Sequence, residues 1–219
     1  WRYRMFSSLD LGLKDKVAIV AGGGALGEGI GNGRAASILL AEAGVRVLVV
    51  DRDEELANNT VKMIKDRGGE ALGIRGDLTQ SDQCKRVVDF VLKNWGRLDI
   101  LDNNIGIDSK LSVVDETEEY WDRVMEVNLK PMFLMSKYAI PAMINSGDGG
   151  SIVNISSISA TRPKGLTVYS ASKGAVLSLS QAMAVDHGED GIRVNCILPG
   201  PFYTPMVYSS GMTEDRRSI

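Results

Sequence analysis

One histidine, two cysteines and six prolines are all that 219 residues offer of those types, and each scarcity closes off a class of function. The cysteines, Cys84 and Cys196, belong to no CxxC or Cys/His spacing. Zinc sites and disulfide frameworks are therefore not expected, no metal ligand set is assigned, and a reducing, cytoplasmic setting fits. A Ser-His-Asp triad would have to use the lone His187. That residue reads instead as the last turn of a helix, with Gly188 as its cap. No apolar run approaches the ~18 residues of a membrane span. Trp1-Arg2-Tyr3-Arg4-Met5 has no apolar stretch behind its charges, as a signal peptide would. With 25 basic against 28 acidic residues and a net charge of −3, no nucleic-acid partner is expected.

What is present is a globular composition, 44% hydrophobic and 24% charged, with an excess of glycine at 24 residues. Short apolar runs alternate with amphipathic stretches. Strands are predicted at 17–20, 45–50, 71–75, 98–101, 151–155 and 192–197, and helices at 34–43, 54–67, 81–95 and 169–187. A long helical pattern spans 117–145 and contains Pro131 and Pro141. Strands that are apolar throughout are buried on both faces, as in a parallel sheet. Repeated strand–helix–strand units predict a doubly wound α/β fold in three layers. Residues 1–219 are expected to form a single domain, with 1–12 as an N-terminal arm and 205–219 as the start of a substrate lid.

The first predicted strand runs into Gly22-Gly23-Gly24-Ala25-Leu26-Gly27-Glu28-Gly29-Ile30-Gly31-Asn32-Gly33, and a helix follows. Such a turn lets backbone N–H groups and the helix dipole approach a diphosphate. Asp51 closes the second strand, 18 residues after Gly33. A carboxylate there accepts hydrogen bonds from the ribose hydroxyls of an adenosine. It repels a 2′-phosphate by about 4 kcal/mol at ~4 Å in an effective dielectric of ~20. NAD is thus favoured over NADP, although the neighbouring Arg52 can pair with a phosphate.

Tyr169 and Lys173 are i and i+4, on one face of one helix. A free tyrosine, pKa ≈ 10, is too weak a base at neutral pH, and a nearby ammonium stabilises its phenolate. The pair is a workable acid/base for the proton of a secondary alcohol. A serine hydroxyl at the neighbouring strand end can hold the substrate oxygen.

From Lys16 to about Thr204 the chain resembles the short-chain dehydrogenases/reductases. The likeness rests on Gly22 with Gly31-Asn32-Gly33, Gly76-Asp77-Leu78, Asn103-Asn104-Ile105-Gly106, Asn128, Ser156-Ser157, Tyr169-x-x-x-Lys173 and Pro199-Gly200-x-x-x-Thr204, in the family's order. The resemblance implies a Rossmann fold and an NAD(P)-dependent oxidoreductase acting on a secondary alcohol or its ketone. It implies Tyr169 as acid/base and Lys173 as the group that lowers its pKa and holds the nicotinamide ribose. Ser157 would orient the substrate oxygen, and Asn128 would anchor a relay water at a helix irregularity. Gly22, Gly31, Asn32 and Gly33 would hold the diphosphate, and Asp51 and Arg52 would face the adenosine ribose. Asp77, Leu78, Asn104 and Gly106 would line the adenine and ribose side. Pro199, Gly200 and Thr204 would bind the carboxamide. A homotetramer or homodimer is implied as well. A non-catalytic nucleotide-binding relative with a regulatory or scaffold role is the alternative.

Several positions depart from the family pattern. Ala21 stands where a threonine is usual. The glycine turn is about five residues longer than usual, with Glu28 inside it. Asp102 replaces an apolar residue and must find partners or be exposed. Ser156 precedes Tyr169 by 13 residues and Ser157 by 12. The assignment to Ser157 presumes a one-residue deletion in the loop between. Family members usually continue with a further helix and an edge strand, so the chain reads as C-terminally short. The substrate pocket is expected from 158–168, 108–113 and 202–212, with Arg162 and Lys164 able to meet an anion.

Overall fold

A computed structural model describes residues 11–27 and 29–202. Residues 1–10, Glu28, Thr204 and the 205–219 segment assigned above to a lid lie outside these, so the roles given to them are not addressed. The element order is β1 (Val17–Ala21), α1 (Asn32–Glu42), β2 (Arg46–Asp51), α2 (Glu54–Lys65), β3 (Ala71–Arg75), α3 (Ser81–Trp95), β4 (Ile100–Asn103), α4 (Glu118–Asn128), α5 (Lys130–Asn145), β5 (Gly150–Ile155), a 3-10 turn (Ile158–Ala160), α6 (Thr167–Asp186) and β6 (Ile192–Ile197). The six strands form one sheet in the order β3-β2-β1-β4-β5-β6. Every pairing is parallel.

The sheet is covered on both faces, which is why β1 is buried along its whole length. On one face Val17, Ile19, Leu48 and Leu101 pack with Val87 and Val91 of α3 and Met135 and Met143 of α5. On the other, Ala18, Val20, Val47 and Val49 meet Ile38 of α1 and Ala57 and Ile64 of α2. At β6 the pattern changes. Arg193, Asn195 and Ile197 are exposed while the residues between them are at least half-buried, the alternation of a strand covered on one face.

The long helical pattern at 117–145 is two helices, not one. The break falls at Leu129 (φ −113°, ψ −50°), immediately after Asn128. Pro131 causes it physically. Without an N–H it cannot bond the carbonyl four residues back, and it is tolerated in the first turn of α5 instead. The expected role of Gly188 is corrected too. The helix ends at Asp186 with His187 as its cap residue, and Gly188 is not among the glycines with positive φ. The left-handed turn is taken by Gly191 (φ +75°), and His187 Nδ1 lies 2.9 Å from Asp190.

The chain winds outward from β1 to β3 and then restarts beside β1 at β4. This reversal opens a crevice at the carboxyl ends of β1 and β4, where open α/β sheets bind ligands.

Candidate active site

The segments leaving β1, β2, β4, β5 and β6 converge on that crevice. After β1, Gly22 takes φ +81°, a conformation only glycine adopts without strain. Its amide and that of Gly23 donate to the Val50 carbonyl at 2.8 and 3.1 Å. Gly33 passes so close that a Cβ there would lie 2.1 Å from the Gly22 carbonyl oxygen. Among the described residues no side chain caps α1, and its first turn holds no acidic residue. Unpaired N–H groups and a positive dipole end are what a diphosphate requires, so these residues fit one.

Asp51, at the end of β2, accepts from the Gly24 amide at 3.1 Å through Oδ2 and from the Asp53 amide at 3.2 Å through Oδ1. Its carboxylate is thus fixed against the glycine turn. Arg52 is exposed. Asp77 is exposed, and its Oδ1 accepts from the Thr79 amide (3.1 Å) and hydroxyl (2.8 Å), so it braces its own turn. Leu78 is buried. The Asn104 amide donates to the Ala21 carbonyl at 2.8 Å, which sets its backbone against Gly22.

Asp102 is buried at 6% exposure on β4, between Val20 and Val153. Its Oδ2 accepts from Asn104 Nδ2 at 2.8 Å, and its Oδ1 has no hydrogen-bond partner among the described residues. Burial pushes its carboxyl up to about 7, against the Asn104 bond.

On the substrate side, Asn128 Oδ1 accepts from the Ile107 amide at 2.8 Å, while Nδ2 donates to the Ile107 carbonyl (3.0 Å) and the Ser172 hydroxyl (2.9 Å). The Lys173 ammonium donates to the carbonyls of Ile155 (2.9 Å) and Ile105 (3.4 Å). Gly106 makes room for both side chains. A Cβ there would lie 3.1 Å from Lys173 Nζ and 3.5 Å from Asn128 Oδ1.

The two serines separate in role. The buried Ser156 hydroxyl donates to the Lys173 carbonyl at 2.7 Å. Ser157 accepts from the Ser159 amide at 3.2 Å, capping the 3-10 turn. Its hydroxyl also sits close enough to the Tyr169 phenol to pull that group's pKa down. Burial outweighs this, the Asp108 carboxylate adds to it, and the phenol is held above its ordinary value. The direction is opposite to the one expected from Lys173, whose ammonium faces the tyrosine ring rather than acting as the dominant influence. Burial lowers Lys173 itself to about 8. Behind β6, the Ile197 carbonyl accepts from the Ser156 amide (2.8 Å) and the Pro199 carbonyl from the Ile158 amide (2.9 Å). Gly200 is exposed.

Asn128 and Lys173 thus meet at Gly106, with Tyr169 beside Lys173 and Ser157 beside Tyr169. Gly22, Gly31, Asn32, Gly33 and Asp51 form a second group at the α1 end. Sequence reasoning missed Arg34 and Thr60, which fasten the glycine turn from behind, and Ser172, the Asn128 partner. Only the extra length of the turn hinted that it needed fastening.

The sequence pattern of the short chain dehydrogenase family matches residues 16–215. An uncharacterized oxidoreductase of Thermotoga maritima is 40% identical over 87% of this chain and 73% of its own length. Cyclopentanol dehydrogenase of Comamonas sp. is 39% identical over 89% of this chain and 76% of its own. Among solved structures, a 7α-hydroxysteroid dehydrogenase complexed with NADH and 7-oxo glycochenodeoxycholic acid superimposes with a TM-score of 0.85. It shares 34% sequence identity, over 93% of this chain and 77% of that one.

Proposed function

The chain belongs to the short-chain dehydrogenase family of oxidoreductases, and on that premise we propose that it moves a hydride between a nicotinamide cofactor and a secondary alcohol or its ketone. The observation that carries this reading is the cluster of Ser157, Tyr169, Lys173 and Asn128 at the carboxyl end of the sheet, beside a glycine turn that fits a diphosphate. A buried phenol with a serine hydroxyl beside it suits proton exchange with an alcohol oxygen, and neither group has a comparable use in a module that only binds nucleotide.

The proposed roles are these. Gly31, Asn32 and Gly33 hold the diphosphate through backbone N–H groups, and Gly22, whose own amide is bound to Val50, shapes the turn that presents them. Asp51 receives the ribose hydroxyls and disfavours a 2′-phosphate, so NAD is preferred to NADP. Asn104, Leu78 and Asp77 border the adenine side, and Pro199 and Gly200 the carboxamide side. When bound, the nicotinamide supplies the hydride acceptor or donor. Ser157 orients the substrate oxygen, and Tyr169 gives it a proton in reduction or takes one in oxidation. Lys173 holds its charge against the strand-end carbonyls, and Asn128 fixes the Ile107 backbone that borders the pocket.

The same domain is proposed to work as a homodimer or homotetramer. An apolar groove lined by Met125, Leu129, Phe133, Ala175 and Leu179 runs between α4, α5 and α6, with Phe133 half exposed. The unpaired thiols of Cys84 and Cys196 suit a cytoplasmic setting. Binding of NAD and NADP, followed by reduced-nicotinamide absorbance over a panel of secondary alcohols and ketones, tests the reading. Saturable NAD binding with turnover of a panel member supports it. Failure to bind either cofactor removes its base.

A further inference from the structure

Arg34 is fully buried, and it is the largest side chain so enclosed among the described residues. It lies in the first turn of α1, where the helix dipole disfavours a cation. Its bonds explain how it is kept there. Nη1 donates to the carbonyls of Gly27 (2.8 Å) and Gly29 (2.6 Å), and Nη2 to that of Ala25 (2.7 Å). Nε donates to the hydroxyl of the equally buried Thr60 at 3.0 Å, and Thr60 donates to the Gly23 carbonyl at 2.9 Å. Four carbonyls, at every second residue from 23 to 29, are therefore turned inward onto one guanidinium and its threonine relay. Among the described residues no carboxylate lies within ion-pair distance of it.

We propose that Arg34 is the positioning residue of the elongated cofactor turn: it coils the extra loop around its guanidinium and keeps a positive charge behind the α1 end where the diphosphate binds. The proposal rests on the nucleotide-binding reading above. A planar fork of five donors suits this task, whereas a lysine ammonium can hold the charge but not all the carbonyls. The turn's extra residues then serve as the wrapping of a buried cation. The charge acts at short range in a low-dielectric setting, so its effect falls on the anionic part of the ligand and not on the nucleoside.

The test compares adenosine, ADP and NAD binding to the purified wild-type chain and to R34M, R34K and T60V, by calorimetry. In R34M the dissociation constants for ADP and NAD rise by about 10- to 100-fold while that for adenosine changes by less than about twofold. R34K falls between R34M and wild type. T60V, which keeps the charge, weakens ADP by less than about fivefold. R34K, which keeps the charge but not all the carbonyl bonds, retains more ADP affinity than R34M, which has lost both, a difference that loss of loop shape alone does not give. Circular dichroism establishes that each variant folds, and if R34M does not, R34K and T60V decide. Equal ADP affinity in R34K and wild type, or equal loss of adenosine and ADP, overturns the role of Arg34 while leaving the nucleotide site intact. A wild-type chain that binds neither ADP nor NAD overturns the nucleotide-binding reading itself.

Discussion

The Lys173 ammonium lies over the ring of Tyr169, 5.9 Å from its centroid, and donates at 2.9 Å to the Ile155 carbonyl. Burial sets the two groups in opposite directions, the phenol above its ordinary value and the ammonium down to about 8. At neutral pH the phenol is therefore protonated and ready to give a proton. Ketone reduction is expected to run at neutral pH, and alcohol oxidation, which needs a proton acceptor, to climb as the pH rises through the alkaline range. Asp108→Asn removes a negative charge that raises the phenol, so its oxidation profile shifts to lower pH. Measuring kcat/KM in both directions against pH checks this, and a flat oxidation profile contradicts it.

Tyr169→Phe keeps the ring under the Lys173 ammonium and removes the proton carrier. Turnover is expected to fall by about 10³-fold, with the NAD dissociation constant within about twofold of wild type. Retained turnover assigns the proton transfer to another group.

The sheet was legible because its strands carry short apolar runs, and Val17–Ala21, apolar at every position, reads as a strand buried on both faces. The spacing of Tyr169 and Lys173 made their shared helix face equally plain. Less visible was anything set by contacts distant in sequence. The break at Leu129 showed only as Pro131, which a continuous kinked helix would also explain. Arg34 looked like an ordinary helical residue, since nothing in its neighbours announces that four loop carbonyls will close around it and Thr60. The phenol's direction was misjudged for the same reason. A helix-face argument contains the lysine but neither the burial nor Asp108 from a separate loop.

The two adjacent serines give opposite expectations. Ser157→Ala removes the hydroxyl beside Tyr169 and is expected to lower turnover by about 10²- to 10³-fold, with little change in stability. Ser156→Ala leaves the Lys173 carbonyl without its buried donor and costs about 1 kcal/mol of stability, with turnover reduced much less. Parallel turnover assays and urea titrations separate them. If Ser156→Ala is the inactive variant, the 13-residue spacing to Tyr169 is the functional one.

Asp102 makes stability depend on pH in the direction opposite to most carboxylates. Its folded pKa, about 7, lies above the ~3.9 of an unfolded aspartate. Its contribution is therefore fully present below about pH 4 and is lost as the pH rises through about 7, because only the folded chain still holds the proton in that interval. Asp102→Asn is neutral at every pH and can still accept from Asn104. Relative to this variant, the wild type is expected to lose on the order of 4 kcal/mol between about pH 4 and about pH 8. The comparison cancels groups that act the other way. Asp99, for example, is held below its usual range because the Arg97 guanidinium, the Val17 amide and Lys16 outweigh its burial. Urea unfolding of both proteins across that range is the measurement. Parallel stability curves would mean that Asp102 ionises in the folded chain as it does in water, and that its unpartnered oxygen is solvated after all.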